Sequence, residues 1–173
     1  MKAKPIICIS GFSASGKTTV GKKVAKLLGL KHIHYSFKHI AKKKGVSLMH
    51  IQKIAEKDKK LDLDFDARVV ESAKEGGCVV TTWLSPWMVK NADLRVWLEA
   101  TEETRARRLA GREKTSFKSA LRHIRERDAS NIRRYIRYYG IDIRDHSNFD
   151  LIINSERFSP DTIARIIKAS MEV

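Results

Sequence analysis

Gly11-Phe12-Ser13-Ala14-Ser15-Gly16-Lys17-Thr18 gathers two glycines, two serines, a lysine and a threonine in one short run, at a spacing that suits an anion. Gly11 and Gly16 permit backbone conformations that a Cβ would forbid. The N–H groups of such a loop turn inward and cradle phosphates. Lys17 would then reach the β- and γ-phosphates of a nucleotide, and the Thr18 hydroxyl would ligate Mg²⁺. Thr19 follows in the first turn of a helix whose positive dipole end faces the same anion. The chemistry on offer is nucleotide binding, with Lys17 as the positioned catalytic cation.

A phosphate loop needs a strand before it and a helix after it. Pro5-Ile6-Ile7-Cys8-Ile9 reads as a buried parallel strand. Val20, Val24, Leu27 and Leu28 mark one helical face, and Gly29 stops that helix. A second strand is expected over 31–35, and Ser36 caps a helix from Phe37 that ends at Lys42-Lys43-Lys44-Gly45. Ser47 caps the next helix. After a polar break over 57–60, Leu61, Phe65, Val69 and Ala73 mark a further helix with Asp62, Asp66 and Arg68 on its solvent side. Buried strands follow over 78–82 and 94–98. Trp83 to Met88 lies at the C-terminal end of the first of these, the edge where ligands sit in open parallel sheets. Thr101 caps a helix rich in arginine, a polar helical stretch runs from Ser116 to Tyr139, and a fifth strand spans 150–154. Pro160 opens the last helix.

Five strands alternating with helices predict an α/β domain, a parallel sheet with helices on both faces, spanning 1–173 as one unit. The stretch from about 111 to 139 is dense in arginine and poor in apolar residues. That composition predicts a mobile lid without a core of its own. The chain has 173 residues and a formal net charge of +15. A charge this large fits a solvated exterior, and it also fits an RNA partner. No apolar run is long enough to cross a bilayer, and the N-terminus has no signal-peptide pattern. The only cysteines, Cys8 and Cys78, fall in predicted buried strands. These features predict a cytoplasmic monomer with no membrane association. His32 and His34 alternate on a strand and read as core or surface histidines, because no further metal ligands are evident.

Arg125-Glu126-Arg127-Asp128, Arg133-Arg134-Tyr135, Tyr139-Gly140-Ile141-Asp142-Ile143 and Asp150-Leu151-Ile152-Ile153-Asn154 carry a resemblance over nearly the whole chain. The sequence resembles nucleoside monophosphate kinases, most closely the archaeal-type cytidylate kinases. The resemblance implies a three-layer P-loop NTPase sandwich with strand order 2-3-1-4-5, a monophosphate-binding insertion over about 36–76 and a helical lid over about 111–139. It implies ATP- and Mg²⁺-dependent phosphoryl transfer to CMP or dCMP first and UMP next, giving the diphosphate and ADP. By the same resemblance Arg108 lies against the donor base and Arg112 on the donor phosphates. Arg127 and Arg134 reach the acceptor and the transferring group.

The match to this family departs at the acceptor. Lys38 follows Phe37 where the family has an arginine, which keeps charge but loses a bidentate fork. Thr82-Trp83 replaces a Gly-Arg pair whose arginine holds the acceptor phosphate, and Thr81 replaces an acidic residue. The acceptor set read from the sequence is therefore Lys38, Asp62, Arg68 and Trp83. Two alternatives stand beside it: a P-loop kinase acting on RNA or another acceptor, in which Trp83 stacks on a base, and an ATP-regulated RNA-binding protein.

Overall fold

A computed structural model describes residues 4–171. The central strand β1 (Ile6–Ser10) is buried along its whole length. Parallel β3 (Cys78–Val80) flanks it on one side, in the register Ile6↔Cys78 to Cys8↔Val80. Parallel β4 (Leu94–Glu99) flanks it on the other, from Ile7↔Leu94 to Ser10↔Trp97. The edges are β2 (Lys31–Ile33) and β5 (Leu151–Asn154), which completes the order β2-β3-β1-β4-β5.

Strand alternation divides the core into two faces. Ile7, Ile9, Val79, Val96 and Leu98 pack under α1 (Lys17–Leu28) and α8 (Pro160–Ala169), through Val20, Val24, Ile163 and Ile167. Ile6, Cys8, Cys78 and Val80 face the other way and meet Val69 and Ala73 of α4 (Lys59–Ala73). Each such aliphatic side chain contributes about 1.5–3 kcal/mol by leaving water. Burial pushes the Cys8 thiol up to about 12, so it behaves as a small apolar residue.

Between β2 and β3 lie α2 (Phe37–Lys44), α3 (Leu48–Lys57) and α4, with a small core of Phe37, Ala41, Ile51 and Ala55. The expected polar break over 57–60 contracts to Asp58. This residue ends α3, and its carboxylate accepts the Lys60 N–H at 2.9 Å to start α4. Three strands are shorter than expected, β2 stopping at Ile33, β3 stopping at Val80 and β5 starting at Leu151. A turn of helix not read from the sequence, α5 (Ser85–Met88), follows β3.

After β4 come α6 (Glu102–Glu113), capped as expected by Thr101, and α7 (Phe117–Tyr139), capped by Ser116. The stretch from about 111 to 139 packs on residues that precede it. Ala120 and Ile124 of α7 form a small cluster with Ala106 and Leu109 of α6. Farther along α7, Tyr135 is buried against Leu84 and Ile143. Among the described residues no helix is long and apolar enough to cross a membrane.

Candidate active site

A cleft of about 360 Å³ opens at the C-terminal ends of β1, β2 and β3. The phosphate loop forms one wall, the helices between β2 and β3 form the facing wall, and α6 and α7 close the side. The loop has the geometry of an anion cradle. Gly11 has φ of 147°, and a Cβ there would sit 2.5 Å from both the Leu98 carbonyl oxygen and Ser15 Oγ. Ser13 Oγ and Ser15 Oγ are buried without a hydrogen-bond partner, as expected of a loop built around a polar guest. Gly16 caps α1 with φ of 103°, and no side-chain group covers the helix's first amides.

Lys17 Nζ donates to the carbonyls of Gly11 at 2.5 Å and Phe12 at 2.8 Å, and lies 5.0 Å from the centroid of the Trp83 ring. Burial, with Arg127 nearby, lowers its pKa to about 7. Arg127 stands over the same indole at 5.8 Å, and its Nε is buried without a partner. Arg112 lines the same wall. Burial also lowers the Arg127 pKa, with Arg112 and Arg134 adding repulsion. Three cations thus converge where negative charge would be neutralised.

The other predicted residues divide. Gly16, Lys17, Thr18, Thr19, Ser13 and Ala14 line the cleft as the loop reading requires. Lys38 reaches the cleft and also ion-pairs with Glu113 at 2.7 Å, while Arg112 Nε donates to the same Glu113 oxygen at 3.2 Å. Arg108 lies outside the cleft lining. It donates to the Ser15 carbonyl at 3.3 Å and to Ser155, joining the phosphate loop to the turn after β5. Arg68 is exposed on the outer side of α4 and does not line the cleft, which removes it from the acceptor set.

Asp62 and Asp66 are not on a solvent face: both are buried at the cleft, bonded to Arg134 and Tyr139 of α7. Both Asp62 oxygens accept from Arg134, whose fork also donates to Gln52 Oε1 at 2.8 Å and to Asn131 Oδ1. Arg134 is 2% exposed. Its terminal nitrogens are occupied in orienting Asp62, Gln52 and Asn131, so the expectation that it reaches the transferring group is corrected to a positioning role. Asp66 Oδ2 accepts from Tyr139 Oη at 2.6 Å, and burial raises its pKa to about 7.

Trp83 forms the floor between loop and acceptor wall, edge-on to Phe12 at 6.1 Å and tilted on Tyr135 at 6.3 Å. Four site residues went unassigned from sequence. Gln52 is a polar residue among the apolar positions of α3, which is a signal in the sequence, whereas Asn131 shares its face with Arg127, Asp128 and Arg134 and carries none. Arg105 and Asp128 form a buried ion pair at 2.6 Å that grips Ser13. The dense arginine pattern gave no way to tell these two from their exposed neighbours.

Thr18 Oγ1 lies at the cleft beside His34 Nδ1, 3.5 Å away. Among the described residues no group of three or more His, Cys, Asp or Glu converges to hold a metal unaided. A divalent cation at Thr18 would therefore depend on the nucleotide's own oxygens, and the hydroxyl suits that role.

Residues 6–157 match the family model of the cytidylate kinase-like family. The chain belongs to the cytidylate kinase-like family. This kinase is 46% identical over 173 residues to the cytidylate kinase of Pyrococcus horikoshii, covering 99% of this chain and 90% of that one. It is 40% identical to the cytidylate kinase of Sulfurisphaera tokodaii, covering 95% and 93%. Solved P-loop kinases share the fold. One is a shikimate kinase from Acinetobacter baumannii in complex with shikimate, with TM-score 0.62, 20% identity and coverage of 99% and 94%. Another is a deoxyadenosine kinase from M. mycoides with bound dATP, with TM-score 0.59, 14% identity and coverage of 97% and 100%. With the loop geometry, these relationships make the chain a phosphotransferase of the nucleoside monophosphate kinase class.

Proposed function

We propose that this kinase transfers the γ-phosphoryl group of ATP, with Mg²⁺, to CMP or dCMP, giving ADP and the diphosphate. The observation that carries the reading is the acceptor wall. Asp62, Asp66, Gln52 and Asn131 line the same cleft as Lys17 and Arg127. Cytosine offers an exocyclic amino group and two acceptors, N3 and O2. The carboxylate of Asp62 or Asp66 accepts from the amino group. Arg134 claims the amide oxygens of Gln52 and Asn131, which leaves their NH₂ groups to donate to N3 and O2. The cytidylate kinases related to this chain support the same assignment.

Phosphoryl transfer spreads negative charge over the moving group, so the protein's task is positioning and neutralisation. Lys17 and the loop amides hold the donor phosphates, and Arg127 meets the charge that develops between donor and acceptor. Arg112 adds charge from the α6 side, and Arg108 holds the loop against the turn after β5, where the donor base lies. Lys38 takes the acceptor phosphate in place of the missing arginine at Trp83. The Trp83 indole floors the site and excludes water, which limits hydrolysis of the donor. Thr18 is the residue that would hold Mg²⁺, which when bound would supply further neutralisation of the donor phosphates.

Incubation with ATP, Mg²⁺ and a panel of CMP, dCMP, UMP, AMP and GMP tests the reading. CDP or dCDP is the expected main product. Intact ATP binding with no diphosphate formed would overturn it. The RNA readings drew on Trp83 and on net charge, but Trp83 is engaged by Phe12, Tyr135, Lys17 and Arg127. The comparisons lend these readings no support.

A further inference from the structure

We propose that Asp66 reads position 4 of the acceptor's pyrimidine ring through a single carboxyl oxygen, so that its ionised form selects the amino group of cytosine and its protonated form admits the oxo group of uracil. The inference rests on the pyrimidine monophosphate reading above and deepens it: UMP becomes an acceptor as pH falls, giving UDP and ADP.

Of the two carboxylates that line the cleft, Asp62 is fully engaged, because both its oxygens accept from Arg134. Asp66 is engaged on one side only. Tyr139 Oη donates to its Oδ2 at 2.6 Å. Among the described residues none donates to Oδ1, so that oxygen is the one left to meet a ligand in the cleft. Burial raises the Tyr139 pKa and keeps the phenol protonated. While the phenol donates to Oδ2, a proton taken up by the carboxyl group sits on Oδ1. The atom that faces the base therefore changes from acceptor to donor.

Cytosine carries an NH₂ donor at position 4, and uracil carries an oxygen acceptor there. An ionised Oδ1 accepts from the first and repels the second, whereas a protonated Oδ1 donates to the second. Gln52 and Asn131 keep their NH₂ groups for the ring, which favours the bare N3 of cytosine at every pH. CMP thus stays the better acceptor near neutrality, and it is the ratio of the two that moves.

The proton is available in the working range. Burial raises the Asp66 pKa to about 7; Asp62 pushes the same way, while Tyr139 and Arg134 oppose it. Tyr135 also faces this carboxyl from α7 and stays neutral, its own pKa raised by burial. Gln52 comes from α3 without charge, and α5 carries no titratable side chain. From the segment after β2, Tyr35 lines the cleft with its hydroxyl 3.3 Å from Ser72 Oγ, and His34 has its pKa lowered by burial.

The test measures kcat/KM for CMP and for UMP on the wild type from about pH 8 to about pH 6, with saturating ATP and Mg²⁺. Lys17 and the acceptor phosphate titrate in the same range, but both acceptors share them and they cancel in the ratio. The CMP-to-UMP ratio is expected to fall by about tenfold or more, because the protonated share of a group with a pKa of about 7 rises about tenfold across that range. Asp66→Asn places a permanent NH₂ donor where the protonated Oδ1 stands, and is expected to hold the ratio at its low-pH value and make it flat with pH. Tyr139→Phe removes a bond that favours the ionised form, and is expected to move the transition to higher pH. CDP formation with no UDP at any pH, or a ratio constant within about twofold, would overturn the role of Asp66 alone. So would an Asp66→Asn protein, folded by circular dichroism, that keeps the wild-type pH profile. A wild type that binds ATP and forms neither CDP nor UDP would overturn the pyrimidine reading itself, and this role with it.

Discussion

Asp128 grips the phosphate loop through Ser13 while it pairs with Arg105. One carboxylate oxygen accepts the Ser13 N–H at 3.3 Å, and the other accepts from Arg105 at 2.6 Å. Arg105 in turn donates to the Ser13 carbonyl at 3.2 Å and lies over the Phe12 ring at 5.2 Å. The apex of the loop is therefore clamped by α6 and α7, not shaped by its glycines alone. Asp128→Ala leaves the Arg105 charge buried and unpaired, at a cost of about 3–5 kcal/mol. Chemical denaturation should show that loss, and nucleotide affinity should fall more than acceptor affinity.

Lys17→Ala should lower kcat by about two to three orders of magnitude, the usual cost of removing one positioned transition-state partner. A second consequence concerns protons. The free Lys17 pKa is lowered to about 7, and an adjacent phosphate raises it. Affinity gained this way is complete below about pH 7 and is lost as pH rises from there toward the bound-state pKa. Calorimetry near pH 8 in buffers of different ionisation enthalpy should therefore report proton uptake on ATP binding. Lys17→Ala should abolish that uptake.

Asp66 bears on the stability of the fold. Its pKa is raised from 3.8 to about 7, so the folded state binds the proton more tightly than the unfolded chain. The contribution is complete below about pH 4 and is lost as pH rises through about 7. Asp66→Asn should flatten the decline in Tm across that window. It should also raise KM for CMP, because one of the two carboxylates placed for the cytosine amino group is gone.

Glu113 joins Lys38 and Arg112, which come from different walls of the cleft. All three side chains are well exposed, and such a pair is worth only about 0–1 kcal/mol. Incoming phosphates displace Glu113 easily. Glu113→Gln should lower KM for CMP by about two- to five-fold, with little change in thermal stability. Arg68→Ala, remote from the cleft, should leave KM within about twofold.

Much of the fold is legible because its signals are local. A β-branched run before a glycine-lysine loop marks β1 and the cradle, and Ser47, Thr101 and Ser116 each accept an amide of the helix they open. The site is less legible because its charges are sorted by tertiary burial. Leu61, Phe65 and Val69 mark the inner face of α4, and by that count Asp62 and Asp66 point to solvent. In the folded chain α7 lies over their flank, with Arg134 and Tyr139 supplying partners. Arg134 and Arg127 are alike in sequence context, yet one is spent on an internal carboxylate and the other stands over Trp83 without one. Helical period distinguishes faces, but it does not say which second helix will cover a charged one.

Trp83 has a practical consequence. Its indole lies 5.0 Å from an ammonium and 5.8 Å from a guanidinium, so its excited state sits in a strong local field. A phosphate arriving between those cations changes that field. The emission of this one tryptophan should shift as nucleotide fills the site, against a background from Trp97, which is buried, and Trp87, which packs on Phe149. The place of Trp83 between those cations gives the protein an optical gauge of its own occupancy.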